Sequence, residues 1–320
     1  MRAVVMREFG LPEVLEPAEV DEVRAGPEQA VIEVEFANIT FVETQVRAGR
    51  PPHPSMLPAL PAILGNGVGG TVTGAGAGAG GGSLRVVASL NGTGGYAERA
   101  AVTAERLVEV PPEVELRDAV AMLADGRTAL ALADRARLRE GEVILVEAAA
   151  GGVGTLLVQL ARNAGARVVA LAGQPRKLGV ARELGAEVAV DYRHEDWARQ
   201  VRDAVGEVDV VFDGVGGDVG LAAFGLLGTG GRFCPFGMAS GSFAAIPAGL
   251  GEQRQVSVLA GAPVTAEEAT ALTRKALAEA AAGRIRPVIG QEFGLADAAA
   301  AHAAIESRST IGKTLLTVPR

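Results

Sequence analysis

A run of small residues from Ala149 to Gly154 has the types and the spacing that bind the phosphates of a dinucleotide. It follows the apolar segment Val143–Glu147 and precedes the helical pattern Thr155–Ala161, which gives the strand, turn and helix that this chemistry requires. Small residues let the backbone approach a pyrophosphate, and the N–H groups and positive dipole at a helix start stabilise its charge. The residues expected to bind the cofactor here are Ala150, Gly151, Gly152, Val153 and Gly154.

Two further glycine segments match the same pattern without the same context. Gly65–Gly70 is followed by a predicted strand rather than a helix, and Gly76–Gly81 lies within the low-complexity tract Gly74–Ser83. That tract lacks side chains to bury, so we predict a mobile loop. We assign a structural role to both segments.

The residues after the second strand of the predicted nucleotide domain select between NADH and NADPH. An acidic side chain there would bond the ribose 2′-hydroxyl group of NAD and repel the 2′-phosphate group of NADP. The strand ends instead at Ala172 and Gly173, and Arg176 and Lys177 follow closely. These two cations favour NADPH, although they also suit the solvated face of a helix.

Two domains are predicted to position these residues. Up to about residue 118 short β-like runs alternate with Pro and Gly clusters, whereas the following segment alternates apolar strands with helical patterns. This alternation of strands and helices is typical of a parallel sheet with helices on both faces. We predict an α/β fold with a mostly-β domain at residues 1–120 and 265–320 and a six-stranded Rossmann domain at residues 121–264. The strands predicted in the second domain are Val143–Glu147, Arg167–Leu171, Val188–Val190, Val208–Asp213, Gly231–Phe236 and Val256–Ala260, and the helices are Val153–Ala164, Pro175–Leu184, Trp197–Val205 and Asp218–Leu227.

The composition argues against several classes of function. The 320 residues, 48% of them hydrophobic, are enough for two packed cores. A net charge of −8 with scattered basic residues argues against a nucleic-acid partner. Cys234 is the only cysteine, which excludes an intrachain disulfide and a multi-thiolate metal site and fits a reducing, cytoplasmic setting. We also expect no signal peptide and no membrane segment.

At this point the chain resembles the zinc-free, zeta-crystallin-like quinone oxidoreductases of the medium-chain dehydrogenase/reductase superfamily, over nearly its whole length. The resemblance implies a GroES-like substrate domain built from the first and last segments, a Rossmann domain between them, and a cleft where nicotinamide and substrate meet. It also implies a dimer or a tetramer, of which we favour a homodimer. The segments that carry it are Val14-Leu15, Glu43–Gly49, Gly94–Glu98, Ala148–Gly154, Val210–Asp213, Glu306–Arg308 and Gly312-Lys313.

The resemblance extends to individual cofactor and substrate positions. Lys177 and Tyr192 match residues that hold the adenosine phosphate-ribose end, and Thr128 matches a threonine beside the nicotinamide amide. A loop along the cofactor is matched by Phe236, Gly237 and Met238. Relatives often carry a cleft segment like N-F-I-D-T-Y, for which this chain has Thr40-Phe41-Val42-Glu43-Thr44-Gln45. The candidate catalytic residues are therefore Thr40, Gln45 and the nearby Asn38, whose amide also suits a strand-end cap.

Other reactive residue types have simpler interpretations. Zinc-dependent relatives need a Cys, a His-Glu pair and a further ligand, where this chain has Thr40, Asn66-Gly67 and the neighbourhood of Asp125, so we expect no metal. The three histidines are expected to be solvated, Cys234 to be a buried apolar group and Asp213 to form a turn; the histidines are His53, His194 and His302.

The favoured function is NADPH-dependent hydride transfer to a small quinone or conjugated carbonyl compound, without zinc. The alternative within enzymes is an enoyl or enone reductase that acts on a biosynthetic intermediate, such as a polyketide. A different class also stays open, since a protein of this fold can bind NADPH as a non-catalytic structural protein.

Overall fold

The computed structural model describes residues 1–75, 84–261 and 264–319. It contains two compact units, Met1–Arg127 with Thr265–Arg320 and Thr128–Val264. Most of the glycine tract for which we predicted a mobile loop, including the segment from Gly76 onward, lies outside the described residues.

The first unit begins with short strands and one short helix. A longer helix then contains the boundary between the units. Neither helix was predicted: the first has only seven residues, and the second crosses the domain boundary that we predicted at residue 120. The elements are β1 (Arg2–Met6), β2 (Leu15–Glu19), β3 (Gln29–Ile39), α1 (Phe41–Arg47), β4 (Gly67–Ala75), β5 (Arg85–Ser89), β6 (Arg99–Thr103), β7 (Val108–Glu109) and α2 (Leu116–Ala136).

The second unit confirms the predicted six-stranded parallel sheet with interleaved helices. The predicted helix from Asp218 ends earlier than expected, because Leu227 already begins the next strand. The elements are β8 (Val143–Val146), α3 (Gly152–Asn163), β9 (Arg167–Ala172), α4 (Pro175–Glu183), β10 (Val188–Asp191), α5 (Trp197–Val205), β11 (Val208–Asp213), α6 (Gly217–Phe224), β12 (Leu227–Pro235), α7 (Leu250–Gln253) and β13 (Ser257–Val258).

The strand order of this sheet creates the position of a nucleotide site. The order is β10-β9-β8-β11-β12-β13, and each neighbouring pair is parallel. After β8 the chain adds β9 and β10 on one side of the sheet, and after β11 it adds β12 and β13 on the other side. In sheets of this type ligands bind at the carboxyl ends of the two strands where the direction changes, here β8 and β11.

The last segment supplies further elements of the first unit: α8 (Ala266–Ala281), β14 (Ile289–Gly294), α9 (Ala298–Glu306) and β15 (Lys313–Thr317). β15 pairs with β14 and β3 in a seven-stranded sheet of order β14-β15-β3-β4-β5-β7, and β6 also pairs with β3. One face of β3 and β15 joins the apolar core, through Ile39 and Leu316 among others. Among the described residues, no helix combines the length and apolar character needed to span a bilayer.

Candidate cofactor and active sites

The turn after β8 has the geometry of a phosphate cradle. The N–H group of Gly151 donates to the Ala148 carbonyl oxygen at 2.7 Å, and α3 begins at the next residue. A Cβ atom on Gly154 would lie 2.2 Å from that same oxygen, so only glycine fits there. The first N–H groups of a helix have no partner within it and carry its positive dipole. The turn thus fits the pyrophosphate of a dinucleotide.

A second cradle lies beyond β9, where Gly173 leaves the backbone open. A Cβ atom there would make ordinary contacts with the Arg193 Cδ atom and the Tyr192 hydroxyl oxygen, both at 3.4 Å, and with the Tyr192 Cζ atom at 3.5 Å. The Ala149 N–H group donates to the Leu171 carbonyl oxygen at 3.0 Å, which joins this edge to the phosphate turn. Gly173 and Tyr192, predicted separately, therefore lie together.

Arg193 is a cation of this cradle that the sequence analysis did not assign. Its guanidinium group bonds the Asp191 carboxylate, with Nη2 2.6 Å from Oδ2, while its side chain stays 55% exposed. This arginine holds the pKa of Asp191 below its ordinary value. β10 therefore ends in an acid, but a cation already neutralises it.

Two of the predicted cofactor residues are cations at the N-terminal end of a helix, where positive charge is ordinarily unfavourable. Arg176 is exposed and Lys177 is half-buried, and both lie in the first turn of α4. The positive end of a helix dipole disfavours cations at that position, so their presence suits an anionic ligand.

The loop after β12 rests on the end of β11. The N–H groups of Phe236 and Gly237 donate to the Asp213 carbonyl oxygen at 2.8 and 3.2 Å, and with Met238 they stay half-buried. Asp213 forms a turn with its side chain, accepting the Gly216 N–H group at 2.6 Å. Thr128, the remaining predicted cofactor residue, is half-buried in α2.

The predicted catalytic Thr40 is the N-terminal cap of α1. Its hydroxyl group donates to Glu43 Oε2 at 2.8 Å, and its own N–H group bonds the same oxygen at 2.6 Å. Glu43 Oε1 accepts the N–H group of Asn66 at 2.9 Å. Burial raises the pKa of Glu43, against the hydrogen bonds and Lys313, which lower it. The sequence signal that was overlooked is the Thr-x-x-Glu capping box.

The other two catalytic candidates differ in access. Gln45 is half-buried on α1, and its Nε2 atom donates one hydrogen to Thr44 Oγ1 at 3.2 Å. Asn38 is fully buried on β3, close against Gly67, and neither of its amide atoms has a hydrogen-bond partner among the described residues. Of the three catalytic candidates, Thr40 and Gln45 therefore have exposed surface that a substrate can touch, and Asn38 has none.

The residues that the sequence analysis compared with zinc ligands are engaged with other groups. Thr40 and Asn66 both bond Glu43, as above, and Asp125 Oδ1 lies 3.0 Å from the ammonium group of Lys313 in a buried ion pair. Within the described residues, no group of three or more His, Cys, Asp or Glu side chains is arranged to hold a metal.

The expectation that His302 is solvated was wrong. It is fully buried on α9, with Nε2 3.0 Å from the hydroxyl oxygen of Tyr96, and burial lowers its pKa to about 3. The tyrosine is buried as well, and its burial together with Glu43 raises the pKa of its hydroxyl group. The reason is tertiary packing, since the alanine-rich α9 buries this face in the core of the first unit.

Known proteins resemble the chain along its length. A family model described as a zinc-binding dehydrogenase matches residues 184–316. The quinone oxidoreductase of Pseudomonas aeruginosa is 31% identical over 319 residues, covering 96% of this chain and 97% of that protein. A 2-haloacrylate reductase from a Burkholderia species is 30% identical over 329 residues, covering 98% of each chain.

A solved structure gives the same result for the fold. The Escherichia coli quinone oxidoreductase complexed with NADPH superposes with a TM-score of 0.90 at 28% identity, covering 99% of this chain and 100% of that one. The likeness therefore includes both compact units.

Proposed function

This chain belongs to the quinone oxidoreductase branch of the medium-chain dehydrogenase/reductase superfamily, and we propose that it moves hydride from NADPH to a quinone or another conjugated carbonyl compound without zinc. The observation that carries this proposal is the turn of Gly151 to Gly154 at the carboxyl end of β8, whose geometry suits a pyrophosphate, and it is supported by the cations and the tyrosine around Gly173.

NADPH is favoured over NADH by the charges around Gly173. The second strand ends without an acid, and Arg176 and Lys177 lie in the first turn of α4. Tyr192 adds a hydroxyl group and Arg193 a further cation beside the same glycine. A 2′-phosphate group would thus meet several donors and no unneutralised carboxylate.

Bound NADPH supplies the hydride. In the proposed complex the turn of Gly151 to Gly154 binds the pyrophosphate through backbone N–H groups. Thr128 and the Phe236–Met238 loop are assigned to the nicotinamide end.

Stabilisation of the substrate oxygen is assigned to Thr40 and Gln45, the accessible hydrogen-bond donors of α1. The second amide hydrogen of Gln45 has no acceptor among the described residues. The single hydroxyl hydrogen of Thr40 is donated to Glu43. When Glu43 itself holds a proton, it can donate to Thr40, whose own hydrogen then becomes available to a substrate oxygen. Burial favours that protonated form by raising the pKa of Glu43.

Zinc independence rests on the donor set at the corresponding positions. A hydroxyl group, an amide and a carboxylate already neutralised by Lys313 do not form the soft tetrahedral set that zinc prefers. The proposed electrophilic assistance therefore comes from hydrogen-bond donors rather than a Lewis acid.

The proposal is tested by steady-state oxidation of NADPH with a panel of quinones and α,β-unsaturated carbonyl compounds. Turnover with quinones supports the first assignment. Turnover confined to enones or enoyl compounds would favour the second, which the 2-haloacrylate reductase among the relatives also suggests. Tight NADPH binding with no turnover on either class would identify a non-catalytic binding protein and overturn the proposal.

We also propose that the protein is a homodimer. β13 is one of the two edge strands of the parallel sheet, and both of its residues are exposed, which leaves an open edge for a second copy. Sedimentation equilibrium gives twice the chain mass if this is correct and the chain mass if it is wrong.

A further inference from the structure

Two buried carboxyl groups face each other where β8 and β11 end. β8 and β11 pair in parallel with Val146 opposite Phe212, so the next residues, Glu147 and Asp213, are neighbours. The Glu147 N–H group continues this pairing by donating to the Phe212 carbonyl oxygen at 3.0 Å. Both side chains are fully buried.

These two carboxyl groups share a backbone donor and have no cation beside them. The Val215 N–H group lies 3.1 Å from Glu147 Oε2 and 3.2 Å from Asp213 Oδ1. The remaining oxygens, Glu147 Oε1 and Asp213 Oδ2, have no hydrogen-bond partner among the described residues. No ion pair of the described part of the chain includes either residue.

No other ionisable side chain of the elements packed here reaches the pair. On α6 the only one is Asp218, which is exposed, and Asp209 on β11 bonds the Val143 N–H group at the opposite end of that strand. Arg232 on β12 is paired with Glu142, and Cys234 on the same strand is opposite Phe212, where burial raises the pKa of its thiol to about 12. The turn before α3 and the loop after β12 contain none.

Two buried anions in contact without a counter-cation are strongly unfavourable, because neither water nor an opposite charge compensates them. We propose that Glu147 and Asp213 share one proton, and that this proton keeps the turn after β11 in the shape that cofactor binding requires. Burial and the neighbouring Asp213 raise the pKa of Glu147 well above its ordinary value, in agreement with the geometry.

Glu147 and Asp213 influence the proposed cofactor site through the turn after β11, which they hold by accepting the Val215 N–H group. The turn residues Val215 and Gly217 bond the loop after β12, since the Ser240 N–H group donates to the Val215 carbonyl oxygen at 2.8 Å and the Gly217 N–H group to Ser242 at 3.0 Å. The fit is tight, because a Cβ atom on Gly216 would lie 2.1 Å from the Ser242 carbonyl oxygen. Loss of the proton places two like charges in contact, strains this turn and displaces the loop assigned to the nicotinamide end.

The direction of the pH effect follows from where the proton is bound. The folded protein retains a proton on the pair that the unfolded chain releases at lower pH, so folding stability and NADPH affinity both decrease as pH rises through the raised pKa. Glu147 and Asp213 are positioning residues in this account. The effect on affinity rests on the proposed cofactor site, whereas the effect on stability does not.

The test compares the wild-type protein with Glu147→Gln, which keeps the shape and removes the second charge. Glu183→Gln, an exposed change on α4, is the matched control. Urea unfolding of the cofactor-free protein and NADPH dissociation constants from fluorescence are measured from about pH 5, just above the ordinary carboxyl pKa, to about pH 10. We expect the wild type and the control to lose at least about tenfold in NADPH affinity and to lose stability with rising pH, and Glu147→Gln to change little in both. Parallel pH profiles in all three proteins would overturn the proposal.

A second measurement keeps the proposal testable if Glu147→Gln does not fold. Infrared spectra near neutral pH are expected to show a protonated carboxyl band that disappears at high pH and that remains in Glu43→Gln, so that Glu43 is not its source. Asp213→Asn removes the same interaction from the other side. Absence of that band in the wild type overturns the proposal. A wild type with the stability slope but without NADPH binding at any pH would contradict the proposed function and leave the shared proton intact.

Discussion

The hydroxyl group of Thr40 and the carboxyl group of Glu43 form a closed pair at the start of α1, with Oγ1 2.8 Å from Oε2. The same threonine therefore caps a helix and is the proposed donor to the substrate oxygen. The capping role predicts a loss of stability on substitution, and the donor role predicts a loss of hydride-transfer rate.

Thr40→Val is expected to lower the single-turnover rate of hydride transfer and the stability together. A lost preorganised donor costs roughly a hundredfold or more in rate, and a lost cap about 1 kcal/mol of unfolding free energy. Thr40→Ser keeps a hydroxyl group and is expected to retain most of both. If Thr40→Val loses stability but transfers hydride at the parent rate, the residue is only a cap.

Lys177→Glu is expected to weaken NADPH selectively, because it reverses a charge in the proposed 2′-phosphate site. Charge-assisted contacts are worth roughly 1.5–3 kcal/mol, so the loss should be about ten- to a hundredfold with little change for NADH. Arg202→Glu, an exposed charge reversal on α5, is the control. An NADPH Michaelis constant equal to that of the control would rule out the assignment.

Two glycine-to-alanine substitutions compare a position in the phosphate turn with an ordinary position in a helix. Gly154→Ala places a methyl group 2.2 Å from the Ala148 carbonyl oxygen, so the turn must open and NADPH affinity is expected to fall at least about tenfold. Gly179→Ala on α4 meets nothing within 4 Å and is expected to stabilise the protein by roughly 0.5–1 kcal/mol. Calorimetry and cofactor titration check both, and equal NADPH affinity in the two variants would argue against the cradle.

The buried His302 predicts a specific acid sensitivity. The folded protein keeps this imidazole neutral down to a pKa of about 3, whereas the unfolded chain takes up a proton below about 6.5. Stability is therefore lost as pH falls through that interval, at about 1.4 kcal/mol per pH unit. His302→Gln should remove this slope, and the exposed His194→Gln should retain it. Identical urea-unfolding profiles against pH in these two variants would show that His302 does not titrate on unfolding.

The sequence was sufficient to predict the nucleotide-binding sheet, because its information is local. Val143–Glu147 followed by small residues and a helical pattern predicts a strand, a turn and a helix, and the structure has β8, the phosphate turn and α3 in that order. The absence of an acidic residue after β9 is likewise visible in the sequence around Gly173.

The contacts between buried polar groups were not predictable in the same way. Tyr96 and His302 are 206 residues apart in the chain, and no local pattern indicates that they meet. Glu147 and Asp213 are 66 residues apart, and their contact depends on which strands become neighbours. Only the Thr40–Glu43 pair left a short-range signal, the capping box.

The most direct test of the account follows the hydride itself. Enzyme dialysed against a chelator is mixed with NADPH carrying deuterium at the transferred position and, in separate reactions, with a quinone and an enone, and the fate of the deuterium and the zinc content are measured. We predict stoichiometric NADPH oxidation at an undiminished rate, with a primary isotope effect on transfer and deuterium on the reduced carbon of the enone. Activity that disappears with the zinc and returns when zinc is added, or oxidation of NADPH without transfer of deuterium to the enone product, would contradict zinc-free hydride transfer.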